Sequence, residues 1–241
     1  MQNTNLLLAS DLPITETLSL RIPTVGEILD FGEDDYFGMA QAFSSVPYDA
    51  QLWLDDMGID YQEISEFELF FLTLCGYRNK DLSLLFGPAD LSHMEFGQKA
   101  DGDKILFDST QQLVIDELLQ REIADGIRLI HGWKRTEKTA GNQESKKYML
   151  EKLRKQRKRS RNKPKTKYLE DLVVAMVNHH DFKYDYTGVR ELNIYCFHRS
   201  VNQLLHGRNA DALLQAVYNG KIDSSKLDEM ALSFIRPASD R

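Results

Sequence analysis

The sequence predicts a mainly α protein with a small β element near its N-terminus. Three observations carry that expectation. Apolar residues recur at helical spacing along most of the chain, as in Leu118, Leu119, Ile123, Ile127 and Ile130. Residues able to cap a helix stand just before several of these stripes. Only two short regions alternate or cluster apolar residues as strands do. An apolar fraction of 42% with 10% aromatics is enough to bury a core.

Charge divides the chain. Between Lys134 and Lys167 stand 15 Lys or Arg against three acids, so this segment is near +12 within a chain of net charge −7. It holds almost no apolar residues and must be solvated. The expected organisation is an α-rich N-terminal unit over 1–133, a basic spacer over 134–167, and a C-terminal helical unit over 168–241. The spacer is read as flexible or partly helical, with a short exposed helix over Glu144 to Lys158.

From the N-terminus, Leu12, Ile14, Leu18, Leu20 and Ile22 alternate with Thr15, Thr17, Ser19 and Arg21, the period of one half-buried strand ended by Pro23. Thr24 and Glu27 have capping-box spacing and predict a helix from about Val25. Another follows near Tyr36 to Phe43, and a short one from Tyr48 to Met57 is stopped by Gly58. Ser65 and Glu68 repeat the box before Phe67-Glu68-Leu69-Phe70-Phe71-Leu72-Thr73-Leu74, apolar nearly all round and so expected at the buried centre, with Gly76 as its stop. Lys104 to Asp108 and Gln111 to Ile115 predict a β-hairpin, and Asp116 is placed to cap the helix carrying Leu118 to Ile130.

In the C-terminal unit Leu169, Leu172, Val173 and Met176 form one stripe. Thr187 is placed to cap a second helix running past Val189 to Leu204, and a third carries Ala210 to Val217 before Gly220. Ser224 or Ser225 opens a last short helix.

Chemistry is sparse, and no enzyme is expected. His179-His180-Asp181, with His198 and His206 downstream, could begin a metal site, but adjacent residues point in different directions and no Cys-x-x-Cys or His-Glu-x-x-His accompanies them. Asp34-Asp35 and Asp55-Asp56 are carboxylate pairs without a phosphate-binding loop and read as solvated helix ends. No nucleophile elbow is present. Cys75 and Cys196 sit in apolar surroundings and read as buried free thiols of a reducing compartment, with a disulfide as the alternative. No catalytic residue, metal ligand or cofactor is therefore assigned. No stretch is long and apolar enough to span a membrane, and the first ten residues lack the basic start of a signal peptide.

The feature with most physical force is the cluster Lys152, Arg154, Lys155, Arg157, Lys158, Arg159 and Arg161. It supplies candidate contacts to an acidic partner or to nucleic acid through counterion release. Tyr148 is the one aromatic nearby, so base stacking is poorly supplied. The acidic flanks imply weak, sequence-blind nucleic-acid binding at most, and docking on this chain's own acidic surface is a third use of the charge.

Three stretches carry a resemblance. They are Leu20-Arg21-Ile22-Pro23-Thr24-Val25-Gly26-Glu27-Ile28, then Pro47-Tyr48-Asp49 with Asp56 to Tyr61 before Phe67 to Phe70, and last Val177-Asn178-His179 with Phe182 to Tyr184, Ser200 to Gln203 and Tyr218 to Asp223. In them the chain resembles tail assembly chaperones and related tail-morphogenesis proteins of long-tailed bacteriophages of Gram-positive bacteria. The similarity covers most of the chain outside 134–167 and is a pattern of apolar and turn residues. The basic spacer departs from it. The resemblance implies a non-catalytic protein of the bacterial host cytoplasm, without cofactor. It would coat the tape measure protein until tail tube proteins replace it, as a homo-oligomer or multi-copy coat.

Overall fold

Two hydroxyl groups set the starts of the helices that build the core. In the computed structural model, which describes residues 5–110, 113–137, 142–160, 167–223, 225 and 227–235, Thr24 Oγ1 accepts the Glu27 N–H at 3.1 Å while the Glu27 carboxylate accepts the Thr24 N–H at 2.8 Å. Ser65 and Glu68 repeat the reciprocal cap at 3.2 and 2.9 Å. Each box satisfies two backbone N–H groups that a helix start leaves unpaired.

The chain is mainly α with two small antiparallel sheets. Strands β1 (Asp11–Pro13) and β2 (Ser19–Arg21) precede helices α1 (Val25–Phe31), α2 (Glu33–Ser44), α3 (Gln51–Asp56), α4 (Glu66–Tyr77) and α5 (Ser83–Phe86). Strands β3 (Glu95–Gln98), β4 (Lys104–Asp108) and β5 (Leu113–Asp116) then form one sheet in that order. Helices α6 (Glu117–His131), α7 (Gln143–Ser160), α8 (Tyr168–Val177), α9 (Tyr186–Glu191) and α10 (Ile194–Tyr218) follow, and a 3-10 turn covers Glu229–Leu232.

Several expectations are corrected. The alternating run from Leu12 to Ile22 is a hairpin, with Leu12 opposite Leu20. Thr15 Oγ1 accepts the Thr17 and Leu18 N–H groups at 3.3 and 3.0 Å and turns the chain, while the alternation continues through the turn and disguises it. Gly76 lies inside α4, which continues to Tyr77, because the backbone keeps right-handed dihedrals through Arg78. Leu118 leaves the α6 stripe and is 66% exposed. Asp185, whose carboxylate accepts the Gly188 N–H at 2.7 Å, caps α9 in place of Thr187. The second and third helices expected after it are α9 and a single 25-residue α10, begun by Asn193. Asp228 opens the last turn; Ser224 lies outside the described residues. The β4–β5 hairpin pairs Asp108 with Leu113, and the expected Gln111 and Gln112 lie outside the described residues.

One buried cluster takes residues from both sides of the basic segment: Leu20, Ile28, Tyr36, Phe43 and Ile127 share it with Leu169, Val173, Ile194 and Phe197. Backbone bonds join the same regions. The Val25 N–H donates to Leu192 O and the Ile194 N–H to Pro23 O, both at 2.8 Å. Asn193 adds a clasp: its amide nitrogen donates to Leu6 O and Ala9 O at 2.9 and 3.0 Å while its oxygen caps α10. A smaller cluster of Leu54, Tyr61 and Leu69, flanked by Tyr48 and Ile59, lies under α3.

Candidate functional site

The basic cluster divides by the geometry of its helix. At 100° per residue, Lys146, Leu150, Arg154 and Arg157 fall on one face of α7, and Lys152, Lys155, Lys158 and Arg159 on the other. The first face is docked. Arg154 pairs with Asp55, and Arg157 pairs with Asp56 at 2.8 Å. Lys146 pairs with Asp60 and lies 5.0 Å from the centre of the Tyr61 ring, a cation held by a carboxylate and an aromatic face together. That hydrogen bond, with one from the Gln62 backbone, holds the Asp60 carboxyl below its usual range. Asp55 and Asp56, expected as solvated helix ends, thus receive the basic helix. The outward face stays exposed, and its Lys155 pairs within the helix with Glu151 at 3.9 Å. Arg161 lies outside the described residues.

A second constellation was not legible in the sequence. His131, in the last turn of α6, is 4% exposed. Its Nε2 is hydrogen-bonded to Tyr36 Oη at 3.1 Å, and the Trp133 ring stacks on it at 4.4 Å between centroids. His198 of α10 lies 6.3 Å from His131 and stacks against Phe37 of α2 at 6.5 Å. Burial pushes His131 down to about 3, helped by His198, and pushes His198 down to about 4. Both rings are neutral at ordinary pH, and each keeps a buried Nδ1 without a hydrogen-bond partner among the described residues. Burial likewise holds the Tyr36 hydroxyl protonated. Both histidines line a pocket of about 570 Å³ walled by Phe37, Trp133 and Tyr168 and rimmed by Glu33 and Asp34. The volume is that of a small-molecule site.

Elsewhere the candidates are thinner. His179, His180 and Asp181 bring one ligand atom each to within 4.8 Å of one another, but the two imidazoles stack 4.8 Å apart, and His180 and Asp181 are exposed. His206 is not part of this group, and its Nε2 is buried without a partner among the described residues. Cys75 is exposed, which corrects the expected burial; Cys196 is half-buried, and both are free thiols. Burial raises the Cys196 thiol above its ordinary value and outweighs the opposing hydrogen bond from Ser200, so the thiol form is favoured. No described helix is long and apolar enough to cross a membrane.

The C-terminal half of α10 continues its apolar stripe past the core. Ala210, Leu213, Leu214 and Val217 recur at i, i+3, i+4 and i+7, and Leu213, Leu214 and Val217 stay half-buried. The 3-10 turn packs along this helix. Beyond it Gln203 Nε2 donates to Phe234 O at 2.5 Å, yet the Phe234 and Ile235 side chains stay 74% and 66% exposed.

Residues 160–234, which hold α8, α9, α10 and the 3-10 turn, match the family described as YomV second domain. That family is phage-derived, so this part of the chain is similar to a phage-associated domain. The match spans under a third of the 241 residues. No curated protein and no solved structure matches the chain.

Proposed function

We propose that this chain is a non-enzymatic phage morphogenesis protein, a tail assembly chaperone or minor tail protein that binds the tape measure protein in the host cytoplasm before tail tube proteins take its place. The observation that carries the reading is the apolar stripe of α10. Beyond the buried Ala210, the half-buried Leu213, Leu214 and Val217 continue at the spacing with which one helix packs against another, and they lie in the region that matches a phage-derived family. A long helical partner offers a complementary stripe, and multiple copies along it account for a homo-oligomeric coat. Co-expression with the tape measure protein of the same phage tests the reading. Wild-type protein should convert the insoluble partner into a soluble complex, and Leu213→Asp with Val217→Asp should abolish that conversion while leaving the melting temperature of the core unchanged. A partner that stays insoluble with the wild type defeats the proposal.

A second reading rests on the outward face of α7. Lys152, Lys155, Lys158 and Arg159 stand in solvent on one side of one helix and offer phosphate contacts to nucleic acid.

A further inference from the structure

The pocket between α2, α8, α10 and the end of α6 has a chemical character that its lining defines. Its walls include the rings of Phe37, Trp133 and Tyr168, a residue type that attracts cations through the ring quadrupole. Its rim carries the carboxylates of Asp34 and of Glu33, whose Oε2 also accepts the Glu170 N–H at 3.1 Å. Aromatic rings and carboxylates together favour a planar cation whose N–H fork matches carboxylate oxygens.

We propose that this pocket binds a guanidinium group, presented either by an arginine-like small molecule or by an arginine side chain of a partner segment. The guanidinium plane stacks on the exposed Tyr168 ring, and its N–H groups meet the Glu33 and Asp34 carboxylates. Fork-to-carboxylate pairing adds direction to the charge attraction.

The chain has two tryptophans, so Trp53→Phe in the full-length protein leaves Trp133 as the reporter inside the site. Titration with Nα-acetyl-arginine amide should give a saturable change in Trp133 fluorescence, and the neutral isostere Nα-acetyl-citrulline amide should bind at least about tenfold more weakly. Glu33→Gln with Asp34→Asn should weaken the arginine ligand by a similar factor. Tyr168→Ala, at a ring that is 64% exposed, should weaken it without disturbing the fold. Agmatine and a blocked Gly-Arg-Gly peptide separate the two sources: agmatine binding alone marks a small-molecule site, and peptide binding marks a site for a partner segment. Equal binding of citrulline and arginine overturns the proposal. So does the absence of a saturable signal up to roughly 20 mM, well past millimolar affinity.

Discussion

Tyr36 and His131 are joined by a hydrogen bond of 3.1 Å across 95 residues of sequence, and both are shut away from solvent. A consequence for acid stability follows. The folded pKa values of His131 and His198, about 3 and about 4, lie below the ordinary 6.5. On acidification the unfolded chain therefore takes up these protons first. The stability involved is fully present above pH 6.5 and is lost as pH falls from there toward 4 and 3. Each such proton costs about 1.4 kcal/mol per pH unit within that window. Urea unfolding should thus show a free energy falling by about 2 kcal/mol or more between pH 7 and 5, and His198→Phe should flatten the slope by about one proton. Glu68, held at about 2 chiefly by its hydrogen bond from Lys104, acts in a separate window: its contribution is present above 4.5 and lost as pH falls from 4.5 toward 2.

The docking of α7 is mostly electrostatic, so salt should loosen it. Its contacts to Asp55, Asp56 and Asp60 are ion pairs on partly exposed side chains, while Leu150 is one of its few buried apolar residues. At 1 M salt the screening length is about 3 Å. Hydrogen exchange of α7 amides should speed up about tenfold there, with the amides around Phe197 unchanged. Asp55→Asn with Asp56→Asn should produce the same loss at low salt, of roughly 1–2 kcal/mol.

Gly26 is required by a backbone contact. A Cβ there would stand 2.9 Å from Arg190 O and 3.2 Å from Arg190 Cβ, and the carbonyl belongs to the α9 backbone, which cannot swing aside. Gly26→Ala should destabilise by about 1–3 kcal/mol despite the better helix propensity of alanine. Chemical denaturation compared with Gly38→Ala, where a Cβ meets nothing within 4 Å, isolates the packing cost.

The two faces of α7 separate the nucleic-acid reading from simple docking. Changing Lys152, Lys155, Lys158 and Arg159 to Gln should leave the melting temperature unchanged, since none of them reaches across to α3. Any affinity of the wild type for duplex DNA should lose up to about 3.6 units of its salt slope, at 0.9 per phosphate contact. Tight binding at 150 mM salt that this variant abolishes would make nucleic acid the leading partner; binding that is weak and gone by that salt concentration would leave it secondary.

Local signals were legible where the physics is local. Both capping boxes and the Asp116 cap are decided within four residues, and the sequence shows them directly. The Leu12–Ile22 hairpin was misread because its turn keeps the period of a strand. The two helices expected up to Leu204 and from Ala210 are one, because Gly207, a weak helix former, stays in the helix and packs beside Phe234. The sheet gained a third strand, β3, whose Gly97 takes the space against the Phe107 ring where a Cβ would stand 2.8 Å away. The histidine pocket could not be read at all, because Phe37, His131, Tyr168 and His198 come from four helices. A lone histidine in a helix end carries no signal of that meeting. The seven-residue basic cluster was visible as charge, but its partition needed Asp55 to be found 99 residues from Arg154.

Helix α10 is roughly 37 Å long at 1.5 Å per residue over its 25 residues. Its first turns are clamped by Asn193, Ile194 and Phe197, and its far end carries Tyr218, 84% exposed. Such a rod is a lever with its fulcrum in the core. Burial holds it as far as Ala210, so the free arm is about 12 Å long, and a tilt of about 5° there carries Tyr218 sideways by roughly 1 Å.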